Sequence, residues 1–293
     1  MSKKITFMLF IIKHNSMKKL EREKRDREII ELLATHSQKD VAKMFNLTQS
    51  GIQRIAKING VKYKKSRLNM SKIPLNVGYF CKIDTPNKAY WLGFICADGC
   101  INSSYSKLTI MVKDLEILEK FKKDIESGHK ISKISQHDKR TNKVYEEYSI
   151  QITNELFVNN LKELGVFHEK SEILSFPKCM DETLYPYFMA GLFDGDGSVS
   201  KNKNTLKCSL ISTKEVLTFI NCFFYEKFGW KPCTLCRVTK NKTNVYKTFW
   251  YKHSIDFLKY IYCGEQTIYL QRKYKMFKEY EKNGGNNGRQ PHQ

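Results

Sequence analysis

The pattern of apolar and polar residues occurs twice in the larger, C-terminal part of the chain. Two short apolar stretches, WLGFICADGC at 91–100 and MAGLFDGDGS at 189–198, both end close to an Asp-Gly pair. Residues 107–121 and 206–220, which follow them, each read as a strand that leads into a helix. Since a period of about 100 residues is longer than that of solenoid repeats, the pattern predicts a duplicated domain with internal pseudo-two-fold symmetry.

Alternating segments complete each copy. In the first copy, YSIQIT at 148–153 places its apolar residues on one face of a strand, and in the second copy two such segments flank a hairpin at 241–243. Helical patterns close the copies at 154–164, 254–263 and 267–281. The expected class is therefore α+β, with the order αββαββα in each half. The first half is expected at 89–180 and the second at 181–282.

Small residues recur four positions apart within the two apolar stretches. Gly93 and Ala97 of the first stretch correspond to Gly191 and Gly195 of the second. Residues four apart lie on one face of a helix, and small residues there let another backbone approach closely. The two stretches are therefore predicted to be helices that pack on each other at the pseudo-dyad.

The N-terminal part has a different apolar pattern. Residues 38–58 read as two short helices joined by a turn at Asn46, a residue type that tolerates a left-handed backbone. With the helical pattern of 27–36, they predict a helix-turn-helix domain over 21–59; the alternative is an ordinary three-helix bundle. In a helix-turn-helix, the second helix reads DNA, and the side chains predicted to face it are Gln49, Ser50, Gln53 and Arg54.

The remaining segments are expected to form no compact fold. Residues 1–20 read as a leader and 283–293 as a disordered tail. Residues 60–88 read as a basic linker or extended arm that prolines interrupt. The lysines of this arm either follow a phosphate backbone or are simply solvated, and the candidates for phosphate contact are Lys62, Lys64 and Lys65.

The charge balance narrows the class of partner. The 293 residues include 51 Lys and Arg against 30 Asp and Glu, a formal net charge of +21. Such a surplus indicates a polyanion, either nucleic acid or an anionic membrane surface. The membrane-like stretch at 5–12 is too short to span a bilayer, so nucleic acid is favoured. Nine scattered cysteines indicate a reducing compartment rather than a disulfide scaffold.

Two aspartates end the repeated stretches. Asp98 and Asp196 are predicted to lie at the C-terminal ends of the two paired helices, where the helix dipole disfavours an anion by about 0.3–1 kcal/mol and the carboxylates repel each other. A divalent cation between them would stabilise both charges, with water and phosphate oxygens completing its shell. Without such chemistry, the two residues would be capping acids at a helix interface.

The two stretches resemble the paired LAGLIDADG motifs of homing endonucleases, and DTPNKAYWLGFICADG at 84–99 resembles the lead-in of single-chain members. The resemblance covers residues 89–282. It implies two αββαββα halves whose sheets form a basic saddle over DNA. It also implies that the last motif aspartate of each half, Asp98 or Asp196, coordinates Mg²⁺ or Mn²⁺ at a scissile phosphate.

Further site residues follow from the same resemblance. The family's earlier motif aspartate is present as Asp194 but is replaced by Cys96 in the first copy. The family also uses a basic residue near the metal in each half; by position these are Lys170 and Lys273, unless both are solvated surface lysines. Strands of the second half would read the major groove. Their candidate contacts are Lys201, Lys203, Lys207, Arg237, Lys240 and Lys247.

The function implied is that of a metal-dependent, site-specific DNA endonuclease, acting as a monomer in the intron homing of a mobile element. Because the halves differ in sequence, the expected partner is double-stranded DNA with a long, non-palindromic target. The alternative is a cleavage-inactive relative, either an RNA maturase that binds structured intron RNA or a DNA-binding regulator. The expected location is the cytoplasm, the nucleoid or an organellar matrix, with no secretion and no membrane partner.

Overall fold

The structure is a computed structural model of the chain. It describes residues 21–33, 38–59, 73–138, 142–177, 180–202, 205–239, 243–264 and 268–283. The chain divides into two compact units between Met70 and Ser71. Among the described residues, no helix is long and apolar enough to cross a membrane. The predicted leader, the first part of the predicted arm and nearly all of the predicted tail lie outside the described residues.

The described part of the N-terminal unit forms three helices, α1 at 21–32, α2 at Gln38–Met44 and α3 at Gln49–Ile58. Its small core contains the fully buried side chains of Ile29 from α1, Val41 from α2 and Ile52 from α3. Between α2 and α3, Asn46 has a φ of 50°, the left-handed backbone that the turn was predicted to need. Thr48 then begins α3, because its side chain accepts a hydrogen bond from a backbone N–H in the first helical turn.

The C-terminal unit contains two halves with the same order of elements. The elements of the first half are α4 Pro86–Asp98, β1 Gly99–Ile101, β2 Lys107–Val112, α5 Leu115–Asp124, β3 Ile131–Asp138, β4 Lys143–Thr153 and α6 Glu155–Glu163. Those of the second half are α7 Tyr185–Asp196, β5 Gly197–Asn202, β6 Thr205–Thr213, α8 Lys214–Phe228, β7 Cys236–Arg237, β8 Val245–Phe249 and α9 Ser254–Ile261, followed by α10 Gln271–Lys282.

The two sheets have the same topology. The strand order is β1-β2-β4-β3 in the first sheet and β5-β6-β8-β7 in the second, and neighbouring strands are antiparallel in both. The register corresponds as well, since Gly99 pairs with Ile110 in the first sheet and Gly197 pairs with Leu210 in the second. This mixed arrangement in two αββαββα halves confirms the predicted α+β fold class.

One face of each sheet packs on helices. In β6 the side chains of Leu206, Cys208 and Leu210 are buried, whereas Lys207 between them is exposed. The equivalent strand β2 buries Leu108 and its neighbour two positions on in the same way. Because side chains alternate along a strand, the other face of each sheet points away from the core. We call this second surface the outer face.

Part of the segment that was predicted to be an extended arm is folded into the core of the C-terminal unit. Tyr79, Phe80 and Ile83 are buried in its core, and α4 begins at Pro86. These apolar residues are spaced with neither a helical nor a strand period, so the pattern along the sequence does not reveal their burial. The last helix also differs from its predicted start, since it begins at Gln271.

Candidate functional site

The two motif helices, α4 and α7, meet at their glycines. A Cβ atom added to Gly93 would lie 2.0 Å from the carbonyl oxygen of Phe188, and one added to Gly191 would lie 1.9 Å from that of Tyr90. Phe188 and Tyr90 are 98 positions apart in the sequence, as the two glycines are. The contact is therefore reciprocal, and any side chain at either glycine would force the two backbones apart.

Asp98 and Asp196 lie next to each other where the motif helices end. Each is the last residue of its helix, and the glycine that follows begins a strand. A Cβ atom added to Gly195 would lie 2.3 Å from the Cβ of Ala97 and 3.3 Å from Oδ2 of Asp98. The carboxylate of Asp98 thus packs against the backbone that immediately precedes Asp196. The structure brings the two candidate metal ligands together.

Burial makes the negative charge of Asp98 costly. Asp98 is half-buried, whereas Asp196 is exposed. Burial, and then the charge of Asp196, raise the pKa of Asp98 from 3.8 to about 6; the charges of Lys273, Lys170 and Arg272 act in the opposite direction without cancelling the rise. A cation near its oxygen atoms would stabilise this carboxylate.

Lys273 lies beneath the end of α7. It is only 4% exposed, and its Nζ donates hydrogen bonds to the carbonyl oxygens of Phe193 at 2.7 Å, Asp194 at 2.7 Å and Gly197 at 2.6 Å. A helix end leaves such carbonyls without intrahelical partners, and a positive charge there suits the helix dipole. Burial lowers the pKa of Lys273 from 10.5 to about 8, although the charge of Asp194 acts in the opposite direction.

Lys170 occupies the corresponding place in the first half. Its Nζ donates to the carbonyl oxygen of Gly99, which is the first-half counterpart of Gly197. Lys170 is half-buried, so its ammonium group lies closer to solvent than that of Lys273. The structure therefore places one candidate lysine at the end of each motif helix.

The buried position two residues before the last motif aspartate holds Asp194 in α7 and Cys96 in α4. Asp194 is 1% exposed and accepts hydrogen bonds from Tyr90 Oη at 2.7 Å, Tyr262 Oη at 2.6 Å and the backbone N–H of Leu270 at 2.7 Å. Burial nevertheless raises its pKa. Cys96 is also buried, and burial raises the pKa of its thiol to about 12. Sequence patterns do not reveal the bond from Tyr90, whose partner is 104 positions away.

The donor atoms at the helix ends suit a hard divalent cation. Within the described ranges, no group of three or more His, Cys, Asp and Glu side chains is arranged to hold a metal by itself. Mg²⁺, however, commonly takes one or two carboxylates from a protein and its other ligands from water and phosphate oxygens. Asp98 and Asp196 therefore fit Mg²⁺ or Mn²⁺ bound together with a phosphate-containing substrate.

Two of the candidate groove contacts lie on the outer face of the second sheet. Lys207 of β6 lies between two buried residues. Lys247 of β8 is paired with Ile211, which is four residues further along β6 and therefore on the same face as Lys207. Since paired residues of adjacent strands project to the same side, Lys207 and Lys247 share one surface. This surface is the one that faces away from the helices.

The other candidates on this sheet do not share that surface. Lys201 is paired with Leu206 and Arg237 with Tyr246, and both partners pack against the core. Lys201 and Arg237 are exposed but project from the opposite side, at the margins of the sheet. The two-residue period of the strands therefore separates these two candidates from Lys207 and Lys247, although all four were predicted to contact one groove. Lys203 and Lys240 lie outside the described residues.

The four candidate contacts in the N-terminal unit also divide into two pairs. The side-chain amides of Gln49 and Gln53 donate hydrogen bonds to Oε1 of Gln38, at 3.4 and 3.2 Å, which ties them to the start of α2. Ser50 and Arg54, one helical turn apart, are exposed. The arm candidates Lys62, Lys64 and Lys65 lie outside the described residues.

The architecture is similar to several solved structures. The homing endonuclease I-WcaI, bound to its DNA recognition sequence, is 14% identical with a TM-score of 0.47, and the match covers 61% of this chain and 81% of that one. Full-length DUF199/WhiA from Thermatoga maritima is 16% identical with a TM-score of 0.44, covering 73% of this chain and 66% of that one. The meganuclease I-SmaMI, bound to uncleaveable DNA, is 14% identical with a TM-score of 0.42, covering 68% and 89%.

Structural neighbours of the chain are therefore homing endonucleases and a LAGLIDADG domain. No protein-family model matches the sequence, and no curated protein matches it.

Proposed function

We propose that this chain, which has the α+β fold of the LAGLIDADG proteins, is a site-specific endonuclease that hydrolyses both strands of duplex DNA with Mg²⁺ or Mn²⁺. The observation that carries the proposal is the pair of helix ends. There a reciprocal glycine contact holds Asp98 beside Asp196, and a lysine binds the carbonyl groups at each end. Two neighbouring carboxylates at helix C-termini repel each other, and a cation between them would stabilise both charges. The net charge of +21 further supports a polyanionic substrate.

Asp98 and Asp196 would hold the cation, and the rest of the chain fixes where they stand. When bound, the cation supplies a Lewis acid that activates water and stabilises charge at the scissile phosphate. The backbone of α7 packs against the carboxylate of Asp98 and so limits its movement. Such preorganised groups act on developing charge without a further cost of rearrangement.

The two lysines would serve the reaction differently. An ammonium group has three N–H donors, and Lys273 uses all three on carbonyl oxygens. Lys273 therefore acts through its charge and by holding the end of α7 in place. Lys170 donates to one carbonyl and is half-buried, so its ammonium group can also reach a water molecule or a phosphate oxygen.

The target would be long and without two-fold symmetry. Each half would serve one strand, and the side chains on the two outer faces differ, so the two halves would read different sequences. The N-terminal helices would lengthen the footprint through exposed side chains such as Arg54. Arg54→Ala should weaken binding by about 1–3 kcal/mol if the guanidinium group contacts a base edge.

The test begins with a library of random duplexes, from which cleaved molecules are selected in Mg²⁺ and sequenced. A plasmid that carries the selected site should be linearised by the full chain only when Mg²⁺ or Mn²⁺ is present. Asp98→Asn and Asp196→Asn should each abolish double-strand cleavage and leave binding of the site intact, while the distant change Asp256→Asn should alter neither. Site-specific binding without cleavage in either metal would replace the proposal with a DNA-binding regulator. Selective binding of structured RNA alone would replace it with a maturase.

A further inference from the structure

The outer face of the second sheet carries two stacked aromatic rings. Phe249 ends β8, and Tyr251 follows two residues later; their ring centroids lie 5.3 Å apart and their planes are inclined by 14°. Phe249 is paired with Ser209, which lies two positions along β6 from the exposed Lys207, so the ring of Phe249 lies on the side of the sheet that faces away from the helices. Tyr251 is 63% exposed.

Two lysines flank these rings. Nζ of Lys247 lies 4.8 Å from the centroid of Phe249, and Nζ of Lys207 lies 5.9 Å from that of Tyr251. We call these four residues the aromatic platform. Aromatic rings on which bases stack, combined with positive charge for the phosphates, are the features with which proteins bind single-stranded nucleic acid.

The matching positions of the first sheet hold no rings. Its cross-strand row Cys100–Thr109–Gln151 corresponds to the row Ser198–Ser209–Phe249 of the second sheet. Gln151 therefore takes the place of Phe249, and Thr153 that of Tyr251. Amide and hydroxyl groups suit the edges of bases in a major groove. Rings offer faces instead, so the two sheets present different chemistry at these matched positions.

The face of an aromatic ring can stack most readily on a base that is not part of a duplex. Within a duplex, each base face is covered by the neighbouring base pairs, and only edges and backbone face the protein. The platform also lies near the helix ends. Phe249 is two strand spacings, about 10 Å, from Ser198, which is two residues after Asp196.

We propose that the aromatic platform binds an unpaired nucleotide of single-stranded nucleic acid. The base stacks on the ring of Tyr251, and Lys207 and Lys247 bind the flanking phosphates. This inference rests on the proposed use of the outer face for nucleic acid, but it does not require cleavage.

The test measures binding of the full chain, without metal, to fluorescent oligonucleotides of about 12 nucleotides. The ribo- and deoxyribo- forms of one uracil sequence are compared with a duplex of the same length. Tyr251→Ala should weaken binding of the single strand by about 5- to 150-fold, the loss expected for one stacked base, and leave duplex binding unchanged. Tyr251→Phe, which keeps the ring, and Gln151→Ala, the matched change in the first half, should both leave single-strand binding unchanged.

Photocrosslinking locates the bound base. An oligonucleotide that carries 5-iodouracil is irradiated with the protein, and mass spectrometry identifies the attached residue, which should be Tyr251 or Phe249. Tighter binding of the ribo form would identify RNA as the source of the strand, and equal or weaker binding would identify DNA. The proposal is overturned if Tyr251→Ala leaves single-strand affinity unchanged, if it weakens duplex binding equally, or if attachment maps elsewhere. Loss of cleavage with the platform intact would count against the endonuclease alone.

Discussion

Each motif helix ends in an aspartate and is met there by a lysine from another element, but the surroundings hold these residues differently in the two halves. In the second half, Asp194 binds two tyrosine hydroxyls and the backbone N–H of Leu270, the residue at the start of the helix that carries Lys273. At the end of α4, the counterpart of Asp194 is Cys96, and the counterpart of Tyr90 is Phe188 of α7; both are apolar and buried. One end is thus fixed by a buried polar network and the other by apolar packing.

This difference shows that a shared backbone does not impose shared chemistry. Lys273 is buried and has a carbonyl partner for each N–H, so it contributes a fixed charge. Lys170 is half-buried and can change partners. The ammonium group of Lys273 is therefore held in one place, whereas that of Lys170 has N–H donors that could meet a substrate.

The largest expected effect comes from removing the buried acid. Asp194→Ala should lower the free energy of unfolding by about 3–5 kcal/mol, because it leaves two tyrosine hydroxyls, the Leu270 N–H and Lys273 without their carboxylate. The matched change Cys96→Ala should cost only about 1 kcal/mol. Urea unfolding of both variants at neutral pH measures these changes in the free energy of unfolding. Equal losses would show that the polar network stabilises the second half no more than apolar packing stabilises the first.

Removing the charge of Asp98 should stabilise the metal-free protein. Its pKa is raised on folding from 3.8 to about 6, so the folded chain binds the proton more tightly, and this group's contribution to stability falls as pH rises across that window. Above it, the charged form costs about 3 kcal/mol. Asp98→Asn should therefore unfold at a higher temperature than the natural chain at a pH of about 7.5, with little difference at a pH of about 4.

The comparison with the exposed acid sharpens this prediction. Asp196→Asn, at the exposed position, should stabilise the chain less than Asp98→Asn does. Addition of Mg²⁺ should raise the melting temperature of the natural chain more than that of either variant. A melting temperature of Asp98→Asn at or below that of the natural chain at the higher pH would contradict the account of a costly, half-buried charge.

A transplanted pair tests whether the polar network depends on its tyrosine. Cys96→Asp alone should destabilise the first half, because it buries a carboxylate opposite Phe188. Adding Phe188→Tyr supplies a hydroxyl at the position that corresponds to Tyr90, so the double variant should recover about 0.5–3 kcal/mol relative to additivity. A double-mutant cycle in urea gives this coupling energy. If the two changes in unfolding free energy simply add, the buried carboxylate does not need the hydroxyl of Tyr90, and Tyr262 and Leu270 stabilise Asp194 instead.

The smallest expected effect is on the pH dependence of cleavage. Because folding lowers the pKa of Lys273 from 10.5 to about 8, the unfolded chain binds more protons across that window, and this group's contribution to stability rises with pH there. Under the proposed function, cleavage would use the positive charge of Lys273, and that charge is lost over the same range. The strand served by the second half should therefore be cut about tenfold more slowly at a pH of about 9 than at a pH of about 7.

End-labelling of each strand separates the two rates, and the product of Lys273→Met identifies the strand that the second half serves. The other strand, which depends on Lys170, is the internal comparison. Nicked intermediates should accumulate at the higher pH. Equal slowing of both strands would show that the charge of Lys273 has no strand-specific role.

The sequence predicted those parts of the site whose signals are local. The glycines four positions from their small neighbours and the aspartates that end both stretches are visible within ten residues, and the fold places them at one helix interface. Lys170 and Lys273 were predicted from the family resemblance and from their position near the end of each half. The three hydrogen bonds from Lys273 to carbonyl oxygens could not be predicted from the sequence, because they depend on how α10 packs beneath α7.

Features that depend on contacts between residues far apart in the sequence could not be predicted from it. The bond from Tyr90 to Asp194 joins residues of different halves, and its mark in the sequence is only that both positions change between the copies. Strand register decides that Lys207 and Lys247 share a surface while Lys201 and Arg237 do not. The arm was misjudged because Tyr79, Phe80 and Ile83 are buried without any regular spacing.

The reciprocal glycine contact has a consequence for which halves can pair. A two-fold contact is self-complementary, so each motif helix could also dock on a second copy of itself. Two second halves would then bury two copies of Asp194 opposite phenylalanine, and two first halves would set two tyrosine hydroxyls opposite thiols. Only unlike halves bring Tyr90 to Asp194. The buried hydrogen bond across the interface therefore favours the pairing of unlike halves over the pairing of like ones.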